Sequence, residues 1–273
     1  MKTQSMMSGA RTAAAVLAAL AVTTTVAPAQ SIASRVARVS TGSVRMSFAA
    51  RPDLCGSGNS IGSNNGRGRT TWGNGWNTSQ DVEWDNECST GPARVVIDRR
   101  NGEISDLRFY VGGRWRPAAS GVVDLGMVPA REAAEYLVSL AQTERGSMGE
   151  KAILPSTLAD SVDIWPSLIK IARNANLPRG TRNQAVFWTG QAAGEAATAN
   201  LKDIVVDNEV DREVREHAVF ALSQRPPEQG VPALISIART NKDPEIRKKA
   251  LFWLGQSNDP RAIDLFEELL TRK

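Results

Sequence analysis

The chain has one histidine, two tyrosines and two cysteines in 273 residues. Each scarcity removes a class of chemistry. His217 has no second imidazole with which to share a metal ion or complete a nucleophile, base and orienter set, so histidine metal centres and serine-type triads are excluded. One histidine on a helix surface reads as a bystander. There is no surplus of charge concentrated in one segment: 33 Lys and Arg stand against 29 Asp and Glu, with both signs in both halves. A nucleic-acid binder gathers its positive charge on one face or segment, so nucleic acid is not an expected partner. Beyond the N-terminus no apolar run approaches the roughly 20 residues that a membrane-spanning helix needs.

What is present begins with a leader. In "MKTQSMMSGARTAAAVLAALAVTTTVAPAQ", Lys2 and Arg11 give a positive start, Ala13 to Val22 a short apolar run, and Ala27-Pro28-Ala29 a small-residue cleavage site. Residues 1–29 are expected to be a secretory signal, which places the mature chain in the periplasm or outside the cell. An uncleaved anchor is the alternative. In an exported chain, Cys55 and Cys88 are expected to close a disulfide around a loop of 33 residues, worth roughly 3–4 kcal/mol in loop-closure entropy. Free thiols and a redox pair are the other readings.

Residues 30–125 favour strands. "VRMSFAA" (44–50) alternates Val44, Met46 and Phe48 with Arg45 and Ser47, the period of a half-buried strand. "ARVVIDRRNGEISDLRFYVGGRWR" predicts a hairpin turning at Asn101-Gly102, then a second turn at Gly112-Gly113. The expectation is a small antiparallel β domain stapled by its disulfide. Between the cysteines, "GSGNSIGSNNGRGRTTWGNGW" lacks the strand, helix and Lys-Ser/Thr of a phosphate loop and reads as a surface loop. Trp72 and Trp76 within it either anchor the core or contact a sugar or protein. In "DVEWDNEC" (81–88), Asp81, Glu83, Asp85 and Glu87 fall on one side of a strand, where they either gather Ca²⁺ or form a solvated face. Successive like charges on a straight strand lie about 6.5–7 Å apart, too far for a tight cage.

From 126 to 273 the period becomes helical. "RNQAVFWTGQ" (182–191), "REHAVFALSQ" (215–224) and "RKKALFWLGQ" (247–256) repeat one motif at steps of 33 and 32 residues, the length of one two-helix unit in a solenoid. Each copy follows another apolar helix: "PSLIKIAR" (166–173), "ANLKDIVV" (199–206) and "PALISIAR" (232–239). "REAAEYLVSLA" (131–141) with "EKAILPSTLAD" (150–160) makes a degenerate opening pair, and "RAIDLFEELL" (261–270) a closing helix. The fold class expected is α+β: a small disulfide-stapled β domain, then an α-solenoid of about four hairpins and a terminal half.

"DREVREHAVFAL" and "DPEIRKKALFWL", in which an Asp stands four residues before an Arg, resemble the HEAT repeats, in particular the bacterial HEAT-like repeats also found in phycobilin lyases. The layout as a whole looks like exported bacterial proteins with HEAT repeat domains. The resemblance implies stacked helical hairpins and a ladder built from Arg182, Arg215, Arg247, Asp211 and Asp243. It is incomplete at the first copy, where "LPRGTR" puts Pro178 in the Asp position. Asp211 is expected to hold Arg215 across the turn. HEAT-like folds also include a di-iron hydroxylase built from His-Glu pairs, whereas this chain has only Glu216-His217, once and in reverse order.

On the second helices, Ala218, Val219, Ala221 and Leu222 form the buried stripe and Phe220, Gln224 and His217 point away from it. Their counterparts are Phe187, Gln191 and Gln184 in one copy and Phe252, Gln256 and Lys249 in the other. If these helices line the concave face, as in HEAT proteins, the nine residues form a ridge facing a partner. The competing reading, which carries more weight, packs each Phe between neighbouring second helices. No motif singles out a catalytic residue, a metal site or a cofactor. Two functions follow: a non-catalytic, extracytoplasmic scaffold holding a protein or peptide, or a cell-envelope enzyme or accessory acting through the β domain. Lyase activity on bilins comes from the resemblance alone, and an exported chain is in the wrong compartment for it.

Overall fold

A computed structural model describes residues 30–58, 60–64, 69–72, 79–85, 88–191 and 195–271. The expected signal lies outside the described residues. A short helix not foreseen from the sequence, α1 (Ile32–Ala37), comes first; the Ser31 hydroxyl caps it by accepting the Ser34 N–H at 3.3 Å. It seats Ile32 and Val36 in the core.

Among the described residues nine strands follow: β1 (Gly42–Phe48), β2 (Leu54–Ser57), β3 (Ser60–Asn64), β4 (Arg69–Trp72), β5 (Val82–Glu83), β6 (Ala93–Arg100), β7 (Glu103–Val111), β8 (Arg114–Trp115) and β9 (Val122–Met127). The main sheet has the order β7-β6-β1-β9. Its inner face carries the alternating set read from the sequence: Val44, Met46 and Phe48 of β1 lie with Ala93, Val95 and Ile97 of β6. β6 and β7 turn back at Asn101-Gly102 with φ 54° and 85°, the left-handed pair that a two-residue hairpin needs. The sheet is mixed, because β9 runs parallel to β1. Parallel neighbours require a long crossover, and here everything from Phe48 to Val122 supplies it.

β2, β3 and β4 form a second, antiparallel sheet, and β5 pairs with β8. Cys55 on β2 is joined to Cys88 with Cα atoms 5.1 Å apart. Beside this staple the end of β7 passes so close that a Cβ on Gly112 (φ 66°) would sit 2.1 Å from the Ser89 carbonyl oxygen. Only glycine fits there.

The helical half comprises α2 (Ala130–Thr143), α3 (Ser147–Ser156), α4 (Trp165–Arg173), α5 (Arg179–Gly190), α6 (Glu195–Val206), α7 (Arg212–Ser223), α8 (Pro227–Thr240), α9 (Pro244–Gly255) and α10 (Pro260–Thr271). They form a series of helices in the repeat-like arrangement that the motif spacing predicts. The second helices α3, α5, α7 and α9 pack side by side, while the first helices are more loosely spaced. The second helices are thus the more tightly packed layer, here called the inner layer. Small residues permit this closeness: a Cβ on Gly190 would lie 3.0 Å from both the Cβ and the carbonyl oxygen of Ala221.

The two halves share one hydrophobic core, which runs from Ile32 to Leu265 without a break. Backbone bonds cross the junction: Arg51 N–H donates to Leu158 O and Asp160 N–H to Ala49 O, each at 2.9 Å. The Ile32 N–H donates to Glu132 Oε1 at 2.8 Å, and Lys151 Nζ reaches Asp106 at 2.6 Å.

Candidate functional site

Two surfaces collect polar and aromatic groups. The first is the inner layer of the helical stack. Its arginine ladder links neighbouring repeats rather than closing each turn: Arg182 pairs with Asp211, and Arg215 with Asp243 at 3.0 Å. The expectation that Asp211 holds Arg215 is therefore corrected. An Asp just before its helix projects from the helix end toward the preceding repeat, and there it meets that repeat's buried guanidinium. Asp243 also accepts the Glu245 N–H at 3.0 Å. Burial pushes its carboxyl up, but that N–H and the guanidiniums of Arg212 and Arg215 outweigh burial and hold the pKa below the usual range. Arg247 donates instead to the carbonyls of Asn241 and Lys242, at 2.8 and 3.2 Å.

On the same helices the aromatic residues fall into a stack. Phe187 and Phe220 lie 6.2 Å apart and nearly parallel, and Phe220 meets Trp253 at 4.9 Å. The stack keeps a step of 33 residues from 187 to 220 to 253, whereas the motif shortens to 32 before its third copy. Trp253 thus takes the place that the motif assigns to Phe252, and Phe252 turns outward, 54% exposed. The packing reading of the phenylalanines describes Phe187 and Phe220; Phe252 is free to face a partner.

Gln191, Gln224 and Gln256 each occupy the C-cap of their helix. Gln224 and Gln256 are exposed, whereas Gln191 lines a cleft of about 370 Å³ with Trp165, Leu168 and Trp188. Of the varying residues, Gln184 and His217 are half-buried, and Lys249 bridges to Glu216 of the preceding repeat at 3.3 Å.

The second surface is the outer face of the main sheet. Alternation that buries Val44 and Ile97 turns Arg45, Asp98 and Arg108 to the other side. Part of that face is covered by the β5-β8 pair, where Val82, Val96 and Tyr110 form a small core with Trp84 and Trp115. The rest is a polar cleft of about 910 Å³. Within it Arg108 bridges Asp81, at 2.8 Å, and Asp98. Burial lowers the pKa of Arg108, but hydrogen bonds and charge from the two carboxylates prevail and raise it. The Tyr110 hydroxyl donates to Asp81 at 2.8 Å; burial, with Asp81 adding to it, pushes its pKa up to about 12. Arg45 pairs with Asp124 at 2.8 Å and, together with Arg94, flanks the Trp115 ring at 5.0 and 5.1 Å. Burial, and then Arg45, lower the pKa of Arg94.

The acidic stretch does not act as one face. Asp81 enters the cleft, Glu83 is exposed, and Asp85 pairs with Arg114 at 2.9 Å. Strand β5 covers only Val82–Glu83, so the alternation expected through 87 is not sustained. Glu87, Trp76 and the Trp72 side chain lie outside the described residues. Among the described residues no three His, Cys, Asp or Glu side chains gather as a metal site, and no helix is long and apolar enough to cross a membrane. The cleft was missed in the sequence, although its signal was there: Arg45, Asp98 and Arg108 are polar members of strands whose alternate residues are apolar.

Residues 198–273 match the profile of a family described as HEAT repeats. The matched stretch takes in most of α6 and all of α7 to α10, and the α4/α5 hairpin before it has the same form. No curated protein matches the chain.

Proposed function

We propose that the chain is an exported, non-catalytic scaffold that holds a protein or peptide on the inner layer of its helical stack. One observation carries this reading: three successive second helices are tied together by two Arg–Asp links and by the stack of Phe187, Phe220 and Trp253, which leaves Gln224, Phe252 and Gln256 exposed on that layer. The HEAT-type match over 198–273 supports it, since such repeats generally serve protein association. Export rests on the leader-like sequence of residues 1–29 and agrees with the disulfide. The enzyme reading through the β half draws less support, because the Arg108 guanidinium bridges the Asp81 and Asp98 carboxylates of the cleft.

The test is site-specific photo-cross-linking in the native host. A photoreactive residue at Gln224, Phe252 or Gln256 is expected to give discrete protein adducts, and one at Asp203 on outer helix α6 none. Identical adducts from both layers, or none from the inner one, would remove the scaffold reading.

A further inference from the structure

We propose that the outer face of the main sheet is a binding site for a hydroxyl-rich anion, specifically an acidic oligosaccharide. The cleft, about 910 Å³, lies at the upper end of the volumes of small-molecule sites, room for more than one sugar ring. Its floor is ordered before any ligand arrives: Arg108 is fixed between Asp81 and Asp98, Ser43 donates to Asp98 at 2.6 Å, and the Tyr110 hydroxyl is tied to Asp81. Carboxylate and hydroxyl oxygens held in this way present acceptors to sugar hydroxyls at little entropic cost.

The sign of the ligand's charge follows from the rim. Arg100 and Arg116 line the cleft, are exposed, and have no carboxylate partner among the described residues. Of the other arginines that line the cleft, Arg45 and Arg108 hold carboxylates and Arg99 donates to the carbonyls of Val36 and Gly102, so the two exposed guanidiniums are the groups left to meet an anion. A nucleotide fits less well, because a base needs an aromatic face. Tyr110 is 3% exposed and set edge-on to Trp84, and the Trp115 ring is flanked by Arg45 and Arg94.

The inference is independent of the scaffold reading and uses neither the ring stack nor the glutamines. It is tested by titrating the full mature chain calorimetrically with trigalacturonate, its methyl ester and inorganic phosphate. Trigalacturonate is expected to bind saturably, with the ester and phosphate each at least tenfold weaker. Replacing both rim residues (Arg100→Glu with Arg116→Glu) is expected to weaken trigalacturonate at least tenfold with an unchanged melting temperature. Arg131→Glu on α2, also exposed, should have no effect. Absence of saturable trigalacturonate binding, phosphate binding as tightly, or equal losses in the rim and α2 variants would each overturn the assignment.

Discussion

Asp211 and Asp243 hold the same place in successive copies, yet the first side chain is 55% exposed and the second 12%. Losing Asp243 strands the buried Arg215, whose Nε and Nη1 already lack hydrogen-bond partners. Asp243→Asn is therefore expected to lower the melting temperature by several degrees more than Asp211→Asn. The depressed pKa of Asp243 fixes the pH dependence. Its folded value lies below the unfolded value of about 3.9, so its stabilisation is present above about pH 4 and is lost as pH falls through the folded value. The deficit of Asp243→Asn at neutral pH should shrink in acid; equal losses from both variants, or a gap constant with pH, would count against the ladder as described.

The two tyrosines give a second residue-scale readout. Burial, the first cause in each, pushes both Tyr110 and Tyr136 up to about 12. Both are neutral hydroxyls in the folded chain at pH 10, where half of an unfolded population has ionised. The unfolded state then binds fewer protons, so stability falls between about pH 10 and 12. Spectrophotometric titration should show almost no tyrosinate below about pH 11 in the folded protein, and an ordinary curve centred near 10 in denaturant.

At the level of elements, the α5–α7 contact depends on Gly190. Gly190→Ala forces its Cβ against Ala221 at 3.0 Å and should cost about 1–3 kcal/mol in denaturant unfolding. Adding Ala221→Gly removes one of the two close atoms and leaves the carbonyl, so recovery should be partial. An unaffected Gly190→Ala variant would mean the helices have room to spare.

The helices were legible because Ala218, Val219 and Leu222 recur at helical spacing and because the motif repeats at a fixed step. The cross-repeat links were not, since the interval from Asp211 to Arg215 lies within one helix and says nothing of a guanidinium 29 residues earlier. β9 escaped notice for a different reason: its alternation is broken at Gly126 (φ 71°), and its partner is a parallel strand far back in the chain. The cleft escaped because alternation marks a polar face without saying whether that face is open or covered.

For the molecule as a whole, the decisive feature is the core shared by sheet and helices. A helical stack otherwise buries each hairpin only against its neighbours, and its first unit would have one side bare. Here the contacts through Ala49, Arg51 and Asp106 put the β half on the α2/α3 side, while on α10 Ile263 and Leu270 are 57% and 86% exposed. The β half therefore abuts the layer of second helices at α3, so a peptide laid along that layer would run up against the sheet on one side only among the described residues.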